Sequence, residues 1–229
     1  MLEFLFIDLD NTILDFQHAE RAALHQTLPA FGLEPTEAVC SRYSEINREY
    51  WRCLERQELT REQVVVGRFA ALFEELGIAV DAVAVARSYE YNLAHAGHQF
   101  LPGALETLQQ LSQNYKLYMA SNGTASVQWV KLEALGIKPY FQDIFISEEM
   151  GADKPSPDYF RACFEKIPGF DPKKAMMVGD SLSADIRGGI HAGIATCWVN
   201  TLREPPRPDI RPDYEVQYLA ELLPILEKE

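Results

Sequence analysis

The feature that most constrains the fold of this chain is a set of short apolar segments separated by helical or loop stretches. Five such segments occur, at residues 2–8, 116–120, 143–146, 175–178 and 194–199. Short segments that are almost wholly apolar are typical of strands buried on both faces of a parallel sheet. Because helical patterns separate several of them, the sequence predicts an α/β fold with a doubly wound parallel sheet.

One long stretch interrupts this alternation. Residues 16–98, about eighty in number, contain no strand pattern. Apolar residues recur there at spacings of three and four, and Thr60 with Gln63 forms a capping-box pattern at the start of one helix. We expect a bundle of about four helices, a small helical cap domain inserted after the first strand. Residues 1–15 and 99–229 are expected to form the α/β catalytic core.

The C-terminal part of the chain is predicted to be a loop followed by a helix. Residues 203–213 hold four of the 13 prolines, which favours a surface loop. The final helix is predicted near residues 219–226. The sheet is therefore expected to have five strands.

The charge of the chain limits the partners that it can take. A formal net charge of −13 disfavours binding to nucleic acid polymers and to anionic membranes. No apolar run approaches the roughly 20 residues of a membrane helix, and the N-terminal residues lack the basic region of a signal peptide. We expect a cytoplasmic protein with a small-molecule partner, which can be anionic if metal ions and local cations reverse the field in one cleft.

Polar residues follow four of the predicted strands. In an open parallel sheet, ligands bind beyond the carboxyl ends of the strands, near the point where the strand order reverses. Singly, such residues are common in solvated turns. Jointly, they predict one site at that edge of the sheet. The residues are Asp8 and Asp10 after the first strand, Ser121, Asn122 and Gly123 after the second, Lys154 after the third, and Asp180 with Asp185 after the fourth.

This set of side chains suits phosphoryl transfer. Asp8, Asp10 and Asp180 would repel one another if crowded, so a divalent cation is needed to neutralise them. An all-oxygen site with few ligands favours Mg²⁺. Ser121 and the backbone amides of residues 122 and 123 can donate hydrogen bonds to phosphoryl oxygens, and Lys154 adds a positive charge.

These stretches resemble the four signature motifs of the haloacid dehalogenase-like (HAD) superfamily, in its phosphatase branch. The resemblance spans nearly the whole core and implies its Rossmann-like fold. Asn11 stands where many relatives carry Gly; because Asn tolerates the left-handed conformation, we expect little harm. The four matching segments are residues 6–12, 121–123, 154–155 and 178–185.

The resemblance also implies roles for individual residues. Asp8 would be the nucleophile that forms an aspartyl phosphate, and Asp10 the general acid and base. Asp8, the Asp10 carbonyl and Asp180 would hold Mg²⁺, and Asp185 would support these ligands from outside. The phosphoryl group would be bound by Ser121, Asn122 and Lys154.

Four further segments resemble the pyrimidine nucleoside 5′-monophosphatases of this superfamily. They are residues 44–51, 67–69, 146–151 and 193–200. This resemblance implies that pyrimidine nucleotides, including noncanonical ones, are cleaved to nucleoside and phosphate. Phe16 is a candidate for stacking on a base. Asn47 could contact a base edge and Arg68 a sugar or phosphate if both face the core; the alternative for these two is helix packing and surface solvation.

The sequence leaves other functions open. A phosphoglycolate or sugar-phosphate phosphatase would use the same core, and a catalytically inactive binding module could keep the fold. The dehalogenases of the superfamily lack the acid found here at Asp10 and need no magnesium, which disfavours that chemistry. The sequence carries no signal for an oligomeric state.

Overall fold

A computed structural model, which describes residues 1–227, divides the chain into two compact units. The sheet unit comprises Met1–Phe16 and the chain from Gln99 onward, and the helical unit comprises Gln17–His98. None of the helices in the described residues combines the length and apolar character needed to cross a membrane.

The sheet unit is built on six strands, every neighbouring pair of which is parallel. Their order in the sheet is β3-β2-β1-β4-β5-β6. The predicted doubly wound parallel sheet is therefore confirmed, with β1 and β4 at its centre. The strands are β1 (Phe4–Ile7), β2 (Lys116–Ser121), β3 (Asp143–Ile146), β4 (Ala175–Gly179), β5 (Ala195–Val199) and β6 (Tyr214–Val216).

The helical unit contains four α-helices. The Thr60 side chain accepts from the Gln63 amide, and the Gln63 side chain accepts from the Thr60 amide, so the expected capping box forms at the start of the third helix. The first residue of α1, Phe16, belongs to the sheet unit. The helices are α1 (Phe16–Thr27), α2 (Glu37–Glu55), α3 (Arg61–Leu76) and α4 (Ala82–Ala94).

Helices cover both faces of the sheet. Leu5 and Ile7 of β1 pack into one apolar core, and Phe4 and Phe6 pack into another. This alternation follows from the pleat of a strand, which turns successive side chains to opposite faces. The helices of the sheet unit are α5 (Ala104–Asn114), α6 (Ala125–Leu135), α7 (Ser147–Met150), α8 (Pro157–Glu165), α9 (Arg187–Ala192) and α10 (Leu223–Leu226).

The expectation of five strands is wrong, because β6 extends the sheet beyond β5. Tyr214 pairs with Cys197 and Val216 with Val199. The strand has three residues and only Val216 is buried, so it lacks the apolar run that marked the other strands. The final helix is present as a 3₁₀ turn at Leu219–Leu222 that continues into α10.

The chain leaves β1 through a tight turn that carries the first motif. Asn11 has a φ of 59°, which confirms that it takes the left-handed conformation. Its amide donates to the Leu14 carbonyl, and the Ile13 amide donates to the Leu9 carbonyl. Leu14 then bridges to Phe100, so the two chain segments that lead to and from the helical unit pair with each other.

The aromatic core beneath β1 gives a first prediction. Phe6 is fully buried, and its ring lies 5.3 Å from that of Tyr118 and 5.4 Å from that of Phe164. Phe6→Ala should lower the free energy of unfolding by about 3–5 kcal/mol, measured by urea unfolding. The control Tyr91→Ala removes a ring that is 68% exposed and should change it by less than about 0.5 kcal/mol. Equal effects of the two variants would contradict this assignment of the core.

Candidate active site

The site forms where the strand order of the sheet reverses. Asp8 directly follows β1 and Asp180 directly follows β4, and the two strands pair in register with Ile7 opposite Val178. The two carboxylates therefore leave neighbouring strands at the same edge. Crevices of this kind are where open α/β sheets bind their ligands.

Three carboxylates come together at this edge. One oxygen from each of Asp8, Asp180 and Asp185 lies within 4.8 Å of the other two. Asp185 reaches the group from a π-helical turn at Leu182–Ile186, and its Oδ2 accepts a hydrogen bond of 3.0 Å from the Ser181 amide. A Cβ at Gly179 would lie 2.2 Å from Asp185 Oδ2. The absence of a side chain at Gly179 therefore allows this approach.

Lys154 places a buried ammonium beside these carboxylates. Its Nζ lies 2.8 Å from Asp8 Oδ1, 2.7 Å from Asp185 Oδ1 and 2.5 Å from the Ala120 carbonyl. These three acceptors account for all three protons of the ammonium. Asn122 fixes the backbone of Lys154, since its side chain donates to the Lys154 carbonyl and accepts from the Lys154 amide at 2.9 Å each.

Burial dominates the electrostatics of the group. It raises the pKa of Asp8 to about 7, although Lys154 acts in the opposite direction. Burial, with the charge of Asp8, also raises the pKa of Asp180 well above its ordinary value. Burial lowers the pKa of the Lys154 ammonium, but the charges of Asp185 and Asp8 outweigh it and raise that pKa above its usual range. One ammonium thus does not neutralise three crowded carboxylates.

The residues of this group fit a divalent cation. Asp8, Asp180 and Asp185 each offer a carboxylate oxygen, the donor type that Mg²⁺ prefers. The excess of negative charge supplies the electrostatic reason for a cation to bind. The sequence also placed the Asp10 carboxylate in this group, but in the structure that carboxylate binds Lys131 and Gln128 instead.

Asp10 is held by two residues that the sequence motifs do not include. Lys131 Nζ lies 2.7 Å from Asp10 Oδ1, and Gln128 Nε2 lies 2.8 Å from Asp10 Oδ2. Both donors lie on α6 and are buried. The available signal was their spacing of three residues, which puts them on one helix face beside the apolar Val127 and Leu132.

Ser121 is oriented by its neighbours. Its Oγ accepts a hydrogen bond of 3.0 Å from the Gly123 amide and one of 2.7 Å from Gln128 Nε2. Both lone pairs of the hydroxyl are thereby engaged, which leaves its proton to be donated. The Gly123 amide, expected to face a phosphoryl group, is directed to Ser121 in this structure.

Phe16 lies next to the residues that hold Asp10. Its half-buried ring is 5.5 Å from Lys131 Nζ, measured to the ring centroid. This contact is within the range of a cation–π interaction. The sheet unit therefore brings Phe16 close to the predicted site.

Asn47 and Arg68 meet inside the helical unit. Arg68 Nη1 donates to Asn47 Oδ1 at 2.8 Å, and Asn47 Nδ2 donates to Glu20 Oε1 at 2.7 Å. Ser44 also donates to Glu20. All but Ser44 are nearly inaccessible to solvent, and burial raises the pKa of the Glu20 carboxyl. These residues form a polar network between α1, α2 and α3.

Comparison with known sequences decides the family. The profile of the haloacid dehalogenase-like hydrolases matches residues 3–193. This chain belongs to that family. It is therefore a hydrolase, and the resemblance of its four motifs to those of the family is confirmed.

Two relatives of this hydrolase are named pyrimidine 5′-nucleotidases. PynA of Streptococcus pneumoniae (strain ATCC BAA-255 / R6) is 38% identical over 227 residues, covering 99% of this chain and 95% of PynA. YjjG of Escherichia coli (strain K12) is 30% identical over 224 residues, covering 98% of this chain and 97% of YjjG. The similarity thus includes both the sheet unit and the helical unit.

A third relative supplies a structural comparison. The HAD-hydrolase YfnB of Bacillus subtilis (strain 168) is 40% identical over 222 residues, covering 97% of this chain and 94% of YfnB. A crystal structure of YfnB bound to magnesium matches this hydrolase with a TM-score of 0.93 and covers 98% of each chain. The fold of this hydrolase is therefore that of the family.

The close approach of Gly179 to Asp185 gives a second prediction. Gly179→Ala should destabilise the hydrolase by about 1–3 kcal/mol, because the new methyl group forces the Asp185 carboxylate to move. In the Asp185→Gly background, the same change should cost less than about 1 kcal/mol, since the Oδ2, Cγ and Cβ atoms that the new methyl group would meet are all removed. Urea unfolding of the four proteins in this cycle measures the coupling. The same cost in both backgrounds would show that the clash is not the cause.

Proposed function

We propose that this hydrolase is a magnesium-dependent phosphomonoesterase that cleaves nucleoside 5′-monophosphates, foremost those of pyrimidines, through an aspartyl phosphate. The observation that carries the proposal is the separate placement of two carboxylates from one turn. Asp8 belongs to the group of three carboxylates and accepts a hydrogen bond from Lys154. Asp10 lies outside that group and accepts from Lys131 and Gln128. This arrangement supplies a nucleophile and a distinct proton donor.

In the first half-reaction, a carboxylate oxygen of Asp8 attacks phosphorus while the bond from phosphorus to the ester oxygen breaks. Lys154 orients Asp8 and offsets its charge, which a carboxylate needs before it can attack an anionic phosphoryl group. Asp10 donates its proton to the departing nucleoside oxygen. The Ser121 hydroxyl donates to a phosphoryl oxygen, since its lone pairs are already engaged.

In the second half-reaction, water attacks the phosphorus of the aspartyl phosphate. Asp10, now ionised, takes a proton from that water as the bond from phosphorus to Asp8 breaks. Inorganic phosphate leaves, and both carboxylates return to their starting states, Asp10 having regained its proton. A single side chain thus serves as acid and then as base.

The metal site is part of the proposal. Asp8, Asp180 and the main-chain carbonyl of Asp10 would hold Mg²⁺, with Asp185 supporting them. When bound, Mg²⁺ offsets the charge of the carboxylates and of the phosphoryl oxygens. The carboxylate excess around Lys154 supports this assignment, as does the magnesium in the structure of YfnB.

The nucleotide as substrate is supported by PynA and YjjG, whose similarity extends over 98% or more of this chain. Phe16 is our candidate for stacking on the base, because it lies beside Lys131 near Asp10. Asn47 and Arg68 stay candidates for contact with the base and with the sugar or phosphate. In this structure both side chains are nearly inaccessible to solvent, so such contact would require that substrate binding expose them. The closure of the helical unit as a cap and the cytoplasmic location stay predictions.

A substrate panel tests the proposal. With Mg²⁺, the purified protein should release phosphate fastest from uridine, cytidine and thymidine 5′-monophosphates and more slowly from purine nucleotides, phosphoglycolate and sugar phosphates. Removal of the metal with a chelator should abolish turnover, and added Mg²⁺ should restore it. Turnover of phosphoglycolate or sugar phosphates without turnover of any nucleotide would show that the protein is a phosphatase for those substrates and not a nucleotidase.

The nucleophile gives a separate prediction. Asp8→Asn should lower kcat by on the order of 10⁴-fold or more, because the amide cannot form the aspartyl phosphate. Asp158→Asn is the matched control, since this exposed carboxylate lies in the first turn of α8 and pairs with Arg161; it should keep full activity. A loss of less than tenfold for Asp8→Asn would exclude Asp8 as the nucleophile.

A further inference from the structure

We propose that Gln128 and Lys131 are positioning residues for Asp10, and that they set the efficiency of the step in which the ester oxygen receives its proton. The inference rests on the proposed phosphomonoesterase function. The pair is termed the α6 clamp, after the helix that carries both residues.

The first observation is the burial of the Lys131 charge. Its side chain is 1% exposed, and its ammonium contacts Asp10 Oδ1 at 2.7 Å and the Phe16 ring at 5.5 Å. A buried ammonium is costly unless it is paired. Because Asp10 supplies the ion pair, the buried cation and the carboxylate hold each other in place.

The second observation is the reach of Gln128. This residue is fully buried, and its Nε2 lies 2.8 Å from Asp10 Oδ2 and 2.7 Å from Ser121 Oγ. One amide group therefore connects the proposed acid and base with the proposed phosphoryl-binding hydroxyl. A change in the position of Gln128 would alter both.

The third observation is the space left for this amide. A Cβ at Gly123 would lie 2.2 Å from Gln128 Nε2 and 2.6 Å from its Cδ. Any side chain at Gly123 would displace Gln128 from Asp10 and Ser121. The second motif thus ends in a residue that leaves room for the clamp.

The geometry fixes the Asp10 carboxylate at both oxygens. Lys131 holds Oδ1 and Gln128 holds Oδ2, so rotation of the group breaks at least one of the two bonds. A displacement of about 1 Å in a reacting group can cost on the order of 10²-fold in rate. Through Asp10, the clamp should therefore act on proton transfer. Lys131 should have little effect on substrate affinity, whereas Gln128 also reaches the Ser121 hydroxyl.

Two esters with different leaving groups separate this role from a merely structural one. The nucleoside oxygen of uridine 5′-monophosphate leaves as a poor alkoxide and needs a proton from Asp10. The oxygen of p-nitrophenyl phosphate leaves as a stabilised phenolate and does not need that proton. Since kcat/KM covers the steps up to departure of the leaving group, it reports the contribution of Asp10 for each ester.

The variants are Lys131→Met, Gln128→Leu and the conservative Lys131→Arg. Lys131→Met should lower kcat/KM for uridine 5′-monophosphate by roughly 10²-fold, through kcat and with KM near the wild-type value, and leave kcat/KM for p-nitrophenyl phosphate almost unchanged. Gln128→Leu should lower kcat/KM for both esters, because it also releases the Ser121 hydroxyl, with the larger loss for uridine 5′-monophosphate. Lys131→Arg should recover most of the loss. The control is Lys138→Met, which removes an exposed ammonium over the Trp129 ring and should behave as wild type with both esters.

The outcomes are distinct. Equal losses of kcat/KM with both esters, or no loss with either, would overturn the proposed role of the clamp. The proposed function would still stand in that case, because the wild-type protein hydrolyses the nucleotide. A wild-type protein that hydrolyses neither ester would overturn the proposed function and the clamp with it. If Lys131→Met does not fold, the two losses measured for Gln128→Leu decide: a larger loss with uridine 5′-monophosphate than with p-nitrophenyl phosphate supports the clamp, and equal losses overturn it. A crystal structure of Gln128→Leu should show the Asp10 carboxylate rotated, and an unmoved carboxylate would contradict the proposal.

Discussion

The structure of the site depends on how four carboxylates are kept together at one edge of a sheet. The two ammonium groups nearest to them, from Lys154 and Lys131, leave an excess of two negative charges. Counted with all four groups ionised, that excess equals the charge of one divalent cation and is the electrostatic reason for the cation in our proposal. Without a cation, burial raises the pKa of Asp8 and Asp180 and so favours their protonated forms. The four carboxylates are those of Asp8, Asp10, Asp180 and Asp185.

The two ammonium groups come from different parts of the chain. As a result, two aspartates of the same turn, Asp8 and Asp10, have different partners. Lys154 lies between α7 and α8 and binds Asp8, whereas Lys131 lies on α6 and binds Asp10. Two carboxylates this close in sequence would otherwise have similar surroundings. Because each is fixed by its own cation, the two can take the separate roles that we propose, Asp8 as the nucleophile and Asp10 as the group that moves protons.

The sequence predicted most of the sheet and the motif residues because both leave local patterns. Buried parallel strands are continuous apolar runs, and their polar ends mark the ligand-binding edge. The strand β6 leaves no such pattern, because it has three residues and one buried side chain. Gln128 and Lys131 were missed for another reason: polar residues in a helix normally face solvent, and only the tertiary position of α6 turns these two towards Asp10.

The charge of the whole chain gives the site a further constraint. A net charge of −13 opposes the approach of an anionic phosphomonoester. Lys154 and Lys131 are buried and already paired with carboxylates, so little of their charge is left to attract it. In the proposed function, the affinity for substrate would therefore come from the local field that the divalent cation would supply and from donors such as the Ser121 hydroxyl. In the mechanism that we propose, catalysis and substrate binding would both depend on the charge that the metal adds.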